Sequence, residues 1–157
     1  MSRSLFLTLP CQSLKVAVID VAWCPMNAIL AVASDNHKIE FFLDEGQILN
    51  DCVIKRECNV ACMAWQEKGK VLATGWNDGH VATYTLVNLQ LERVYASTQL
   101  QSAWGIKLMM FNPRSTRLVT GDLSGCVRVW KSDNRGSLAV YKQYQADSAT
   151  TAMVFSN

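Results

Sequence analysis

The sequence predicts an all-β propeller, incomplete, assembled from four-stranded blades. Aromatic-ended apolar runs recur at a fixed period. Each recurrence contains four short strand-like runs separated by turn residues, and no stretch sustains a helical periodicity of 3.6. The chain has 157 residues, half of them hydrophobic and 18% charged, which is enough apolar material for an ordinary core and too much for a disordered segment. No apolar stretch approaches the roughly twenty residues of a membrane span; the run Val16 to Trp23, for instance, is broken by Asp20.

Taken in order, the amino end Met1–Pro10 has one basic residue and an apolar stretch of only Leu5 to Leu9. That is shorter than the roughly 7–15 residues of a signal peptide core, so Ser4–Leu9 reads as a strand, suited to the outer position of a ring's last blade. Blade 1 is expected at residues 15–56, blade 2 at 57–98 and blade 3 at 103–145, with the first strand of a fourth at 148–157. The first strand of each unit, near 16–23, 59–65 and 105–111, ends in an aromatic: Trp23, Trp65 and Phe111, then Phe155, roughly 42–46 residues apart. Second strands follow at 29–34, 71–76 and 118–122, and first and second strands alike are apolar on both faces, as befits strands sandwiched between neighbouring blades. Third strands end at Phe42, Tyr84 and Trp130, and the more polar fourth strands lie near 48–55, 91–97 and 138–144. In the first of these Asp51, Val53 and Lys55 alternate with Cys52 and Ile54, the pattern of a half-exposed outer edge. Trp65 and Trp130 are expected to lie mostly buried between layers.

Four strands every ~40–45 residues is the period of a WD40 blade. The signature is degenerate. No unit has Gly-His before its first strand, and the Trp-Asp pair survives only as Phe42-Leu43, Tyr84-Thr85 and Trp130-Lys131. The Asp-Gly turn is intact at Asp78-Gly79, with Asn36-His37 and Ser124-Gly125 at the equivalent places. The full His–Ser–Asp–Trp network of orthodox repeats is therefore not expected, and apolar packing has to do more. Seven blades of this size need about 300 residues, so three blades and one strand are expected to belong to a larger protein.

The runs Leu72-Ala-Thr-Gly-Trp-Asn-Asp-Gly-His-Val81 and Leu118 to Gly136 resemble the second and third blades of the intraflagellar transport protein 140 family. In the latter, Gly121-Asp122, Gly125, Trp130 and the tail Asp133-x-Arg135-Gly136 carry the likeness, and Leu30-Ala-Val-Ala-Ser34 is similar to the first blade. That resemblance implies the amino-terminal WD40 region of a complex A subunit in retrograde ciliary transport and cilium assembly. Its partners would be other complex subunits and membrane-protein cargo, and its location the cytoplasm, cilium and ciliary base. The alternative is a WD40 scaffold of another trafficking or signalling complex.

Catalysis finds no support in the motifs. His37 and His80 sit in turns of different blades, where a histidine ordinarily faces solvent, and no nucleophile elbow, Walker loop or zincin motif occurs. Asp44-Glu45 is an acid pair in a polar loop. The six cysteines, Cys11, Cys24, Cys52, Cys58, Cys62 and Cys126, are scattered. Cys58 and Cys62 alone are close, and on a strand they would stand about 13 Å apart, too far for one metal. They read as reduced, mostly buried thiols, with no metal or cofactor expected. The formal charge of +2 does not announce a polyanion partner. Residues 80–157 do carry eight basic side chains against four acidic ones. They fall on differently oriented turns and strands, so no single nucleic-acid stripe is expected.

The expected function is protein binding through the loops that join second to third strands and blade to blade, which share one face. That face is expected to carry Asp35, Asn36, Trp76, Asn77, Trp104, Asp122 and Leu123. Trp76 and Trp104, beside Gly75 and Gly105, are the candidate anchors, one of the two remaining partly exposed.

Overall fold

In a computed structural model of the protein, residues 16–97 and 104–155 are described. Among them, strands form three four-stranded meanders and there is no helix. The first sheet contains β1 (Val18–Cys24), β2 (Ile29–Ser34), β3 (Lys38–Leu43) and β4 (Ile48–Lys55). The second contains β5 (Val60–Trp65), β6 (Val71–Trp76), β7 (Val81–Val87) and β8 (Gln90–Ala96). The third contains β9 (Ile106–Phe111), β10 (Arg117–Asp122), β11 (Cys126–Ser132) and β12 (Leu138–Gln145). The three sheets stand side by side as an open, incomplete propeller. The strand expected at 4–9, and Cys11, lie outside the described residues.

The repeat read in the sequence is a repeat of register. Leu30 pairs with Phe42, Leu72 with Tyr84 and Leu118 with Trp130, so each third-strand aromatic sits opposite a second-strand leucine. Each fourth strand joins its blade through a register shift, after Glu40, Thr83 and Val129. Such bulges increase local twist, which turns the outer strand of each blade away from the inner ones. The turns between second and third strands also repeat. His37, Gly79 and Gly125 all have positive φ, at 65°, 83° and 83°. Glycine takes that conformation without cost, while in blade 1 a histidine accepts it and hydrogen-bonds Asn59 through its ring.

Alternation along the strands sends one face of each blade to each neighbour. Ala31, Ile39 and Phe41 of blade 1 pack with Met63, Leu72 and Tyr84 of blade 2. Ala73 and Val81 on the other face of blade 2 pack with Ile106, Leu118 and Trp130 of blade 3. Polar bonds pin both seams. Asp20 Oδ2 accepts from the Met63 amide at 2.8 Å, and Trp65 Nε1 donates to the Ala22 carbonyl at 3.0 Å. Burial pushes the Asp20 carboxyl above its ordinary value despite the two amides it accepts from. At the second seam the buried Gln66 Nε2 donates to Ser132 Oγ at 2.9 Å and to the Asp133 carbonyl at 3.0 Å.

Trp130 is buried and Trp65 largely so, the latter edge-on to Phe41 in the seam between the first two blades, while two other expectations need correction. First strands are not uniformly sandwiched: Val18, Val21 and Trp23 of β1 are exposed, and among the described residues no further sheet packs on that face. Residues 146–155 carry no strand pairing. This segment instead folds back across blade 3, with Thr150 against Gly121 and the Ser148 carbonyl against Gly125.

Candidate functional site

In an antiparallel meander, the second-to-third turn and the segment leading into the first strand fall at the same end of the blade. Backbone bonds tie the two together in every blade: Asp35 to Ala17 at 2.9 Å, Asn77 to Asn59 at 3.0 Å and Leu123 to Gly105 at 3.4 Å. This end forms a continuous rim. Carboxylates brace its turns. Asp35 Oδ1 accepts from the Ala17 amide, Asp78 Oδ1 from the His80 amide, and Asp122 Oδ1 from the amides of Ser124 and Cys126.

The rim brings Asn77, Trp104 and Leu123 together around Gly105. A Cβ on Gly105 would stand 2.8 Å from the Asn77 carbonyl oxygen and 2.9 Å from its Cα. Only glycine permits that approach, and it sets Trp104 beside the blade 2 turn. Trp104 is 58% exposed and Leu123 is 49% exposed. Asp35 and Asn77 are exposed and Asn36 is half-buried, with Asp35 and Asn36 one blade away.

Trp76 and Asp122 do not belong to the accessible face. Trp76 is fully buried: as the last residue of β6 it shares the face of Leu72 and Thr74, which points into the seam with blade 1. Its Nε1 donates to Thr74 Oγ1 at 2.9 Å, and the Arg56 guanidinium covers the ring at 4.9 Å. Asp122 is buried beneath its own turn, its Oδ1 also accepting from Ser124 Oγ at 2.7 Å.

Sequence reasoning missed the cluster next to Trp76. Arg56 donates to Asp78 Oδ2 at 2.8 Å, and His80 Nδ1 lies 2.9 Å from the same oxygen. His80 is therefore bonded rather than simply solvated. Burial would raise the Asp78 carboxyl. Bonds from the His80 backbone and from the Cys58 and His80 side chains, with the Arg56 charge, outweigh that and hold it below its ordinary value. The Cys58 thiol is itself pushed up by burial and by Asp78, so it stays neutral. Cys62 is pushed up to about 12 by burial and the nearby Asp20. These are the opposite of activated nucleophiles. Among the described residues no three His, Cys, Asp or Glu side chains are placed so as to hold a metal ion together.

Comparison with known proteins agrees with the fold. The IFT140 first beta-propeller family matches residues 7–157. A curated relative, the transcriptional corepressor LEUNIG_HOMOLOG of Arabidopsis thaliana, is 29% identical over 85 residues, 54% of this chain and 10% of its own length. The computationally designed Ika4 protein superposes with a TM-score of 0.76 at 18% identity, over 100% of this chain and 89% of that one. The RRP9 WD40 repeats superpose at 0.73 and 18% identity, over 87% of this chain and 41% of theirs. At such identities the solved structures establish the WD40 propeller fold alone. The chain spans about a tenth of the curated relative and about two fifths of the RRP9 propeller.

Proposed function

The chain belongs to the IFT140 first beta-propeller family, and from that premise we propose that it is a non-catalytic scaffold for a neighbouring subunit of a multiprotein complex. By the family resemblance, the complex is intraflagellar transport complex A, working in retrograde transport and cilium assembly at the cilium and its base. The observation that carries this reading is the rim at Gly105, where Asn77, Trp104 and Leu123 converge on a backbone-braced surface. A large aromatic with two side-chain torsions loses little conformational freedom on binding, which is why tryptophan is over-represented among residues that dominate interfaces. Asp35, Asn36 and Asn77 supply polar groups alongside it.

The test is Trp104→Ala in the full-length protein, with capture of complex A subunits and the melting temperature read together. Loss of about 2 kcal/mol of binding, roughly thirtyfold in Kd, at unchanged melting temperature is the expected result. Undiminished capture would refute the rim as the docking surface.

A further inference from the structure

We propose that the outer seam between the first two blades is a binding groove for an acidic, partly apolar segment of a partner protein. It is built at the outer strands and meets the rim at the blade 2 turn, which gives Asn77 to the rim and His80 to this cavity. It opens as a cavity of about 310 Å³ lined by Lys55 and Arg56 at the end of β4, His80 and Tyr84 at β7, and Arg93 and Ser97 at β8. A second cavity of about 360 Å³ shares Lys55, Tyr84 and Arg93 and continues along Val53, Ile54 and Leu91. No carboxylate lines either cavity. Among the described residues Lys55 and Arg93 carry no ion pair.

Arg56 is pre-positioned. Its ring contact with Trp76 and its bond to Asp78 fix the guanidinium, and that bond uses one of its nitrogens, Nη2. Arg93 and Arg56 both lie close enough to Tyr84 for their charges to act on its phenol. Three cations and a phenol therefore surround one concavity, neutralised in part by Asp78 alone. An incoming carboxylate gains charge-assisted bonds while Val53, Ile54 and Leu91 beside the cations offer contact to an aliphatic side chain. A nucleic acid would need cations spaced along a stripe, and a membrane would need a projecting apolar surface. A cation-edged recess with a few aliphatic side chains fits an extended acidic peptide better than either.

The test uses the whole chain and a fluorescein-labelled hexapeptide of alternating glutamate and leucine, read by anisotropy at two salt concentrations. Saturable binding that weakens with salt is expected, falling about tenfold or more in Arg93→Glu and in Lys55→Glu. It should be unchanged in Arg114→Glu, a charge reversal in the turn between β9 and β10, at the opposite end of the blades. A glutamine–leucine peptide should bind at least tenfold more weakly. Equal loss in Arg114→Glu, no loss in Arg93→Glu with its fold verified by circular dichroism, or binding to phosphatidylserine vesicles without binding to the peptide would overturn the proposal.

Discussion

Trp130 gives the most direct test of how the blades are held. The residue is 1% exposed and lies opposite Leu118 on β10. Tyr95 of blade 2 meets it edge-to-face at 6.2 Å, and its Nε1 donates to Thr120 Oγ1 at 3.0 Å. Truncating a core aromatic costs about 3–5 kcal/mol, of which the aromatic pair supplies about 0.5–1.5 kcal/mol. Domains of this size have only about 5–15 kcal/mol in total. Trp130→Ala is therefore expected to leave little soluble folded chain. Trp130→Phe is the measurable variant, because it preserves much of the ring contact and gives up the hydrogen bond, for about 1–2 kcal/mol. Thr120→Val leaves the buried indole N–H without an acceptor and is expected to cost about 1–3 kcal/mol. Urea denaturation followed by circular dichroism should show Trp130→Phe and Thr120→Val coupled in a double-mutant cycle. A midpoint unchanged in Trp130→Ala, or strict additivity of the two milder variants, would refute this account of the seam.

Three further outcomes follow from the same geometry. Gly136 has φ of 95° and its Cβ would stand 2.9 Å from Val71 Cγ1, so Gly136→Ala should cost about 1–3 kcal/mol in the same denaturation experiment. Asp78 has a folded-state value below its unfolded one, so the stability it adds is present above about pH 4 and is lost as pH falls through the folded value. Asp78→Asn should flatten that acid limb in a pH series of melting curves. With Val18, Val21, Trp23 and Met26 exposed on the open face of blade 1, the 157-residue chain alone should self-associate at tens of micromolar in sedimentation velocity, and a clean monomer would contradict that.

The blade plan was legible because it is written in local, periodic terms. Strand-ending aromatics, alternating outer strands and turn dipeptides each follow from neighbours within one blade, and the register pairs Leu30–Phe42, Leu72–Tyr84 and Leu118–Trp130 repeat them in space. What lay beyond reach were contacts between blades. Trp76 reads as a loop residue next to Gly75, yet strand parity turns it inward, and its cover is Arg56 from a different blade. Gln66 looks like a surface residue in a Gln-Glu-Lys turn. Only the third blade, 49 to 67 residues away along the chain, gives its amide a reason to be buried. The Lys55–Arg56–Arg93 groove forms because β4 and β8 adjoin, and a blade-length offset in the sequence would have been the only hint of it.

The degenerate signature and the seam contacts are two sides of one arrangement. Within blade 3 a single limb of the orthodox polar network persists, Trp130 to Thr120, and the other two blades lack even that third-strand tryptophan. Alongside the turn-bracing bonds inside each blade, a further set of polar bonds runs between blades. Asp20 reaches Met63, Trp65 reaches Ala22, Gln66 reaches Ser132 and Asp133, and Thr83 donates to the Gly136 carbonyl at 2.6 Å. The Asp133-x-Arg135-Gly136 tail is accordingly a structural device. Asp133 Oδ1 accepts from the Arg135 and Ser137 amides, which shapes the turn that seats Gly136 on blade 2. Blades free to pivot would let rim residues drift by more than an interface tolerates, since packed contacts lose much of their attraction over a gap of 0.5–1 Å. Bonds that cross the seams fix neighbouring rims relative to one another, so Asn77, Trp104 and Leu123 from two blades can act as one surface.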